Sequence, residues 1–91
     1  SGTRLKIIEA MAAGAPVLST AIGAEGLAAR HDEHLLLADD PPTMAAQCLR
    51  LLSDRALGER LAMNARQLVE REYNWDAIAD RLEAAWREVL R

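Results

Sequence analysis

The cations Arg4 and Lys6 stand where an α-helix is expected to begin, in the run Ser1-Gly2-Thr3-Arg4-Leu5-Lys6. A helix N-terminus carries partial positive charge, and a cation there is disfavoured by roughly 0.3–1 kcal/mol. Gly2 and Thr3 leave the backbone open just ahead of that turn. Free N–H groups, a dipole and two cations together suit a phosphate or diphosphate. The alternative is that both side chains simply point into water. A turn and a half further on, Glu9 is polar among Ile7, Ile8 and Met11. A carboxylate held there could accept hydrogen bonds from a pair of sugar hydroxyls, as acidic residues do for ribose in nucleotide folds. Its alternative is an exposed helix residue pairing with a nearby Lys or Arg.

Other chemistry-bearing residues are read more plainly. His31 and His34, with Asp32 and Glu33 between them, have the donor types of a metal site. A zinc site needs convergent, fixed ligands, and this polar connecting stretch is expected to be solvated, so no metal is assigned. Glu25 falls in the loop after the first expected strand, where open α/β sheets place ligands; it either borders a pocket or stabilises a turn. Cys48, the single cysteine, excludes an internal disulfide framework. It is expected in the core as a small apolar residue, as are Trp75 and Trp86.

The elements that position these groups follow from apolar spacing and punctuation. Residues 3–13 are expected to form a helix, with Leu5, Ile8, Met11 and Ala12 on one face and Ile7 beside them. Gly14 sits where a helix C-terminus wants a left-handed residue, and Pro16 prevents continuation. Residues 17–20 and 35–38 are apolar runs expected as buried strands. Asp40 ahead of Pro41 and Pro42 caps a helix to about residue 52, burying Met44, Cys48, Leu51 and Leu52. Ser53 and Asp54 break and re-cap. The next helix, 55–72, shows Leu57, Leu61, Ala65, Leu68 and Val69 on one side, with Gly58 as a flaw costing roughly 1 kcal/mol. Asn74 caps the last helix, 75–90, whose apolar face is Trp75, Ile78, Ala79, Leu82, Trp86 and Val89. There is no internal repeat and no low-complexity linker.

Composition supports this order. The chain has 91 residues, of which 18 are alanine and 14 leucine, with no Phe. Ala and Leu lead the helix-propensity ranking, so the chain should be helix-rich. With 11 Lys+Arg against 14 Asp+Glu, it lacks the basic excess of a nucleic-acid binder. No apolar run is long enough to cross a bilayer and no signal peptide opens the sequence. Cytoplasmic placement is expected. Two strands without polar alternation fit a parallel sheet covered on both faces, yet two strands are a marginal sheet. The expected fold is therefore the C-terminal portion of a larger Rossmann-like, doubly wound α/β domain, with residues belonging before Ser1 outside this chain.

The run Gly2-Thr3-Arg4-Leu5-Lys6-Ile7-Ile8-Glu9-Ala10-Met11-Ala12-Ala13-Gly14-Ala15-Pro16-Val17-Leu18 closely resembles the donor-binding segment of the retaining GT-B glycosyltransferases of group 1. The resemblance continues through Gly23-Ala24-Glu25-Gly26-Leu27, through 34–41, and through Tyr73-Asn74-Trp75, and so covers essentially the whole chain. It implies that residues 1–91 are part of a C-terminal nucleotide-sugar-binding domain, the acceptor domain lying outside them. The family motif is two acids separated by seven residues. Its second acid matches Glu9, implied to bind the ribose hydroxyls. The backbone of Thr3, Arg4, Leu5 and Lys6 is implied to meet the diphosphate. The first acid falls at position 1, where this sequence has Ser1.

The reaction implied is sugar transfer, a hexosyl group above all, from a UDP- or GDP-sugar to an acceptor, with retention and without metal or other cofactor. Any peripheral membrane contact is implied to belong to the acceptor domain. The rival reading is a non-enzymatic interaction module using the Trp-bearing last helix. The isolated chain is expected to be inactive and to self-associate, because two strands leave unpaired edges.

Overall fold

The computed structural model describes residues 2–89; Ser1, and with it the first motif position, and Leu90 and Arg91 lie outside the described residues, as does the side chain of Trp75. Among the described residues, four helices and two strands follow in the order α1 (Gly2–Ala12), β1 (Leu18–Ser19), β2 (Leu36–Leu37), α2 (Pro41–Ser53), α3 (Arg55–Glu72) and α4 (Trp75–Val89). The chain is thus a helix-rich α/β structure, with the element order and parallel strands that the sequence predicts.

Punctuation residues set the boundaries. Gly14 adopts φ +81°, the left-handed conformation that costs glycine nothing. It lets the Gly14 N–H reach the Met11 carbonyl at 3.1 Å and the Ala15 N–H reach Ala10 at 3.0 Å, the paired bonds that close a helix with a terminal glycine. The Asp40 carboxylate accepts from the Thr43 N–H at 2.9 Å and from its hydroxyl at 2.9 Å. These two bonds, the backbone one foremost, hold the Asp40 carboxyl below its ordinary value of 3.8. Asp54 serves two helices: its N–H donates to Arg50 O at the end of α2, and its carboxylate accepts from Leu57 N at the start of α3. Asn74 Oδ1 accepts from Ala77 N at 3.1 Å to open α4.

The strands pair in parallel, Leu18 opposite Leu36 and Ser19 opposite Leu37. Side chains alternate across a strand, and here the alternation sorts the core into two parts. Val17, Leu35 and Leu37 join α1 (Ile7, Met11, Ala12), α3 (Ala65, Val69) and α4 (Ile78) on one face. Leu18 and Leu36 face the other way, onto Leu51, Leu57 and Leu61. The long α3 contributes to both, and all five of its predicted core residues are buried. On α1 the buried set is Ile7, Met11 and Ala12, while Leu5 and Ile8 are half-buried.

Four expectations about the core are corrected. Cys48 is exposed, and Leu52 is 79% exposed. The face that α2 turns inward is Thr43, Met44, Gln47 and Leu51, all half-buried. Cys48 and Leu52 lie one residue on from Gln47 and Leu51, about 100° around the helix. Two polar residues in the seam made this rotation invisible to an apolar count. Trp86 is exposed rather than core, as is Val89. At about 1.5 Å per residue, α4 is roughly 22 Å long and its neighbour α1 roughly 16 Å, so α4 outruns the surface it packs on. Ile78 is buried, Leu82 half-buried, and the last turns stand clear.

Candidate functional site

In a parallel α/β unit the helix runs antiparallel to its strand, so α1 presents its N-terminus toward the carboxyl ends of the strands. The loop that follows β1 folds back over this N-terminus. The loop is held by local bonds: Thr20 Oγ1 accepts from Gly23 N at 2.9 Å, and Ala21 N donates to Asp39 Oδ1, just after β2, at 2.8 Å. A Cβ at Gly23 would lie 3.4 Å from Thr3 Cγ2, and one at Gly26 would collide with Arg4 Nη1. The backbone of the glycine loop therefore lies directly on Thr3 and Arg4.

Two clefts flank Arg4. One, of about 430 Å³, is lined by Arg4, Ile22, Glu25 and Gly26. The other, of about 270 Å³, is lined by Arg4, Leu5, Ile8, Gly26, Leu27 and Tyr73. Thr3, Arg4 and Lys6 are exposed and Leu5 half-buried; nothing lies within 4 Å of the position a Gly2 Cβ would take. Of the expected site residues, Arg4 lines both clefts, Leu5 one and Glu25 the other, while Thr3 lies against Gly23. Gly26, which the sequence offers only within the family-like run 23–27, lines both clefts. Tyr73 also enters; it ends α3, where its N–H donates to Val69 O, and nothing in its spacing marked it.

Glu9 lies elsewhere on α1, and its carboxylate accepts from Arg81 Nε at 3.0 Å. The pairing anticipated as the alternative for Glu9 is therefore present, with a partner 72 residues away on α4. A carboxylate offers about four lone-pair directions, so one guanidinium nitrogen leaves acceptor capacity on Glu9.

Of the histidine cluster, His31, Asp32 and Glu33 are exposed as expected, and His34 is buried. His34 is 7% exposed and its Nδ1 accepts from Arg30 N at 3.0 Å. His31 Nδ1 accepts from Leu37 N at 2.9 Å. Asp32 pairs with Arg50 at 2.8 Å, while its carbonyl accepts from Arg60; the Glu33 carbonyl accepts from Asn64. These bonds tie the approach to β2 onto α2 and α3.

A further concavity, about 570 Å³, is an apolar groove at the other end of α1, between Pro16, Leu51, Gly58, Ala62 and Met63. The ionic groups at its rim are occupied elsewhere: Arg55 pairs with Glu59 and Arg66 with Glu70. Among the described residues, no helix is long and apolar enough to cross a membrane.

Comparison with known proteins bears on this arrangement. Residues 1–54 match the family described as Glycosyl transferases group 1. The chain is 33% identical over 85 residues to the protein named "Putative glycosyltransferase YtcC" of Bacillus subtilis (strain 168), covering 90% of this chain and 21% of that protein. It is 29% identical over 89 residues to N-acetyl-alpha-D-glucosaminyl L-malate synthase of Bacillus anthracis, covering 96% of this chain and 23% of the relative. The chain thus spans about a fifth of the length of these curated relatives. No solved structure matches significantly. The matched span contains α1, the glycine loop, both strands and all of α2, and the chain belongs to the group 1 glycosyltransferase family.

Proposed function

We propose that this chain forms part of the nucleotide-sugar-binding domain of a retaining GT-B glycosyltransferase. The observation that carries the reading is the junction of α1's N-terminus, Arg4 and the glycine loop at the carboxyl ends of two parallel strands, the place where open α/β sheets bind ligands. The N–H groups of Thr3, Arg4, Leu5 and Lys6, with both cations, would meet the diphosphate of a UDP- or GDP-sugar. Glu9 would accept from the ribose hydroxyls, and Glu25 would border the sugar side of the mouth. In transfer, the bond from the anomeric carbon to the diphosphate breaks and one to an acceptor oxygen forms on the same face, while the acceptor proton leaves. Charge developing on the departing diphosphate is stabilised by preorganised N–H dipoles and cations. This reading assigns no cofactor.

The two strands are then a portion of a longer doubly wound sheet, and the acceptor is bound by structure beyond these residues. In isolation, the sheet edges and the exposed Trp86–Val89 end of α4 would drive self-association. The reading is tested with the full-length protein and a panel of UDP- and GDP-sugars. One donor should release its nucleoside diphosphate, and Arg4→Ala should slow that release at least tenfold. Release from no donor, or equal release from the variant, would defeat it.

A further inference from the structure

Two glycines in this chain hold left-handed backbone, Gly14 at φ +81° and Gly26 at φ +87°. Their surroundings differ. Nothing lies within 4 Å of the Cβ position at Gly14, and that glycine serves the end of α1. At Gly26 the same position is taken by the Arg4 guanidinium: Nη1 would overlap a Cβ, with Cζ at 3.6 Å and Cδ at 3.8 Å. The bare backbone of Gly26 is therefore the surface on which the Arg4 head group lies.

That contact has a chemical consequence. Arg4 sits in the first turn of α1 and is exposed. An exposed arginine ordinarily samples many rotamers, and fixing one costs side-chain entropy. A guanidinium whose Nη1 end abuts a loop backbone has lost part of that freedom before any ligand arrives. The loop is itself braced by Thr20 and Asp39. Arg4 and Gly26 line both clefts beside the helix N-terminus, and Glu25 lines one of them. A side chain at position 26 would push the guanidinium out of the partition between the clefts.

We propose that Gly26 is a positioning residue: its lack of a side chain seats Arg4 between the two clefts, aimed at an anion on the N-terminus of α1. The proposal rests on the reading of Arg4 as a diphosphate ligand and adds a second residue that acts only through it.

A double-mutant cycle tests this, by calorimetric titration of UDP and GDP into the full-length protein. Arg4→Ala removes the ligand. Gly26→Asn keeps a residue that tolerates left-handed backbone but adds the Cβ. Gly14→Ala introduces comparable backbone strain remote from Arg4. Expected are about tenfold losses of affinity for Arg4→Ala and for Gly26→Asn, corresponding to about 1.4 kcal/mol each. The double variant should be no weaker than Arg4→Ala, and Gly14→Ala should bind as the parent does. Full additivity, or parental affinity in Gly26→Asn beside a weakened Arg4→Ala, overturns the positioning role while leaving the diphosphate reading intact. Parental affinity in Arg4→Ala overturns both.

Discussion

Glu9 of α1 and Arg81 of α4 are joined by a 3.0 Å ion pair across 72 residues of sequence. The pair is half in water: the Arg81 side chain is 54% exposed and that of Glu9 26%. Exposed ion pairs contribute a median of about 0–1 kcal/mol. Arg81→Ala should therefore lower stability by less than about 1 kcal/mol, and the coupling energy with Glu9→Ala should be equally small. Denaturant melts of the four proteins of that cycle measure it. A coupling above about 2 kcal/mol would make Glu9 a structural residue and remove the reason to seek a ligand for it.

Gly58, within a helix, and Gly14, just past the end of one, should respond in opposite directions. Gly58 lies inside α3, and a Cβ there would meet only Pro16 Cγ, at 3.9 Å, an ordinary contact. Gly58→Ala should stabilise the protein by about 0.5–1 kcal/mol. Gly14→Ala should destabilise it by about 1–2 kcal/mol, because alanine resists left-handed backbone. Thermal melts of both variants decide the matter; a stabilising Gly14→Ala would contradict the helix end described here.

Asp40 sets an acid limit on α2. Its carboxyl is held below the ordinary 3.8 by the bonds from Thr43, so the folded state favours the ionised form. The stabilisation is present above the unfolded value and is lost as pH falls through the lowered folded value. Melting temperature recorded between pH 6 and pH 2 should fall below about pH 4 in the parent. In Asp40→Asn, which keeps an acceptor for the Thr43 N–H but cannot ionise, that part of the decline should vanish. Parallel acid profiles would show that Asp40 is not the group responsible.

Much of this structure is legible in residue order because caps and periodic faces are local. Asp40, Asp54 and Asn74 announce their helices, and α3's five buried residues recur at helical steps on a face long enough to register. The losses have local causes too. Gln47 and Thr43 occupy the inward seam of α2 and so displaced Cys48 and Leu52 from their expected place. Trp86 has the right spacing for a core residue but lies past the end of α1. His34 is buried because its ring nitrogen accepts a backbone N–H four residues away, a use that composition does not signal. The Gly26–Arg4 and Glu9–Arg81 contacts join segments far apart in sequence and needed the folded chain.

Self-association is expected of the 91-residue chain on its own. Its sheet has two strands, and Ile22, Leu49, Leu52, Met63, Trp86 and Val89 are all exposed. Unpaired edges and apolar surface favour pairing between copies, and a symmetric dimer is the commonest closed outcome. Sedimentation equilibrium should give a mass of twice 10.0 kDa or more at micromolar concentration. A 10.0 kDa species throughout the concentration range would show that the helices suffice as cover.

The most direct measurement of the central claim is the affinity of UDP and GDP for the full-length protein with and without the Glu9 carboxylate. Hydrogen bonds from ribose hydroxyls to a carboxylate contribute roughly 1.5–3 kcal/mol, about ten- to 150-fold in affinity. Arg81→Ala serves as the control that removes the ion pair but keeps the carboxylate. The account predicts that Glu9→Ala loses at least tenfold in affinity for one of the two nucleotides while its melting temperature stays close to that of Arg81→Ala. Unchanged affinity in a folded Glu9→Ala protein would contradict it.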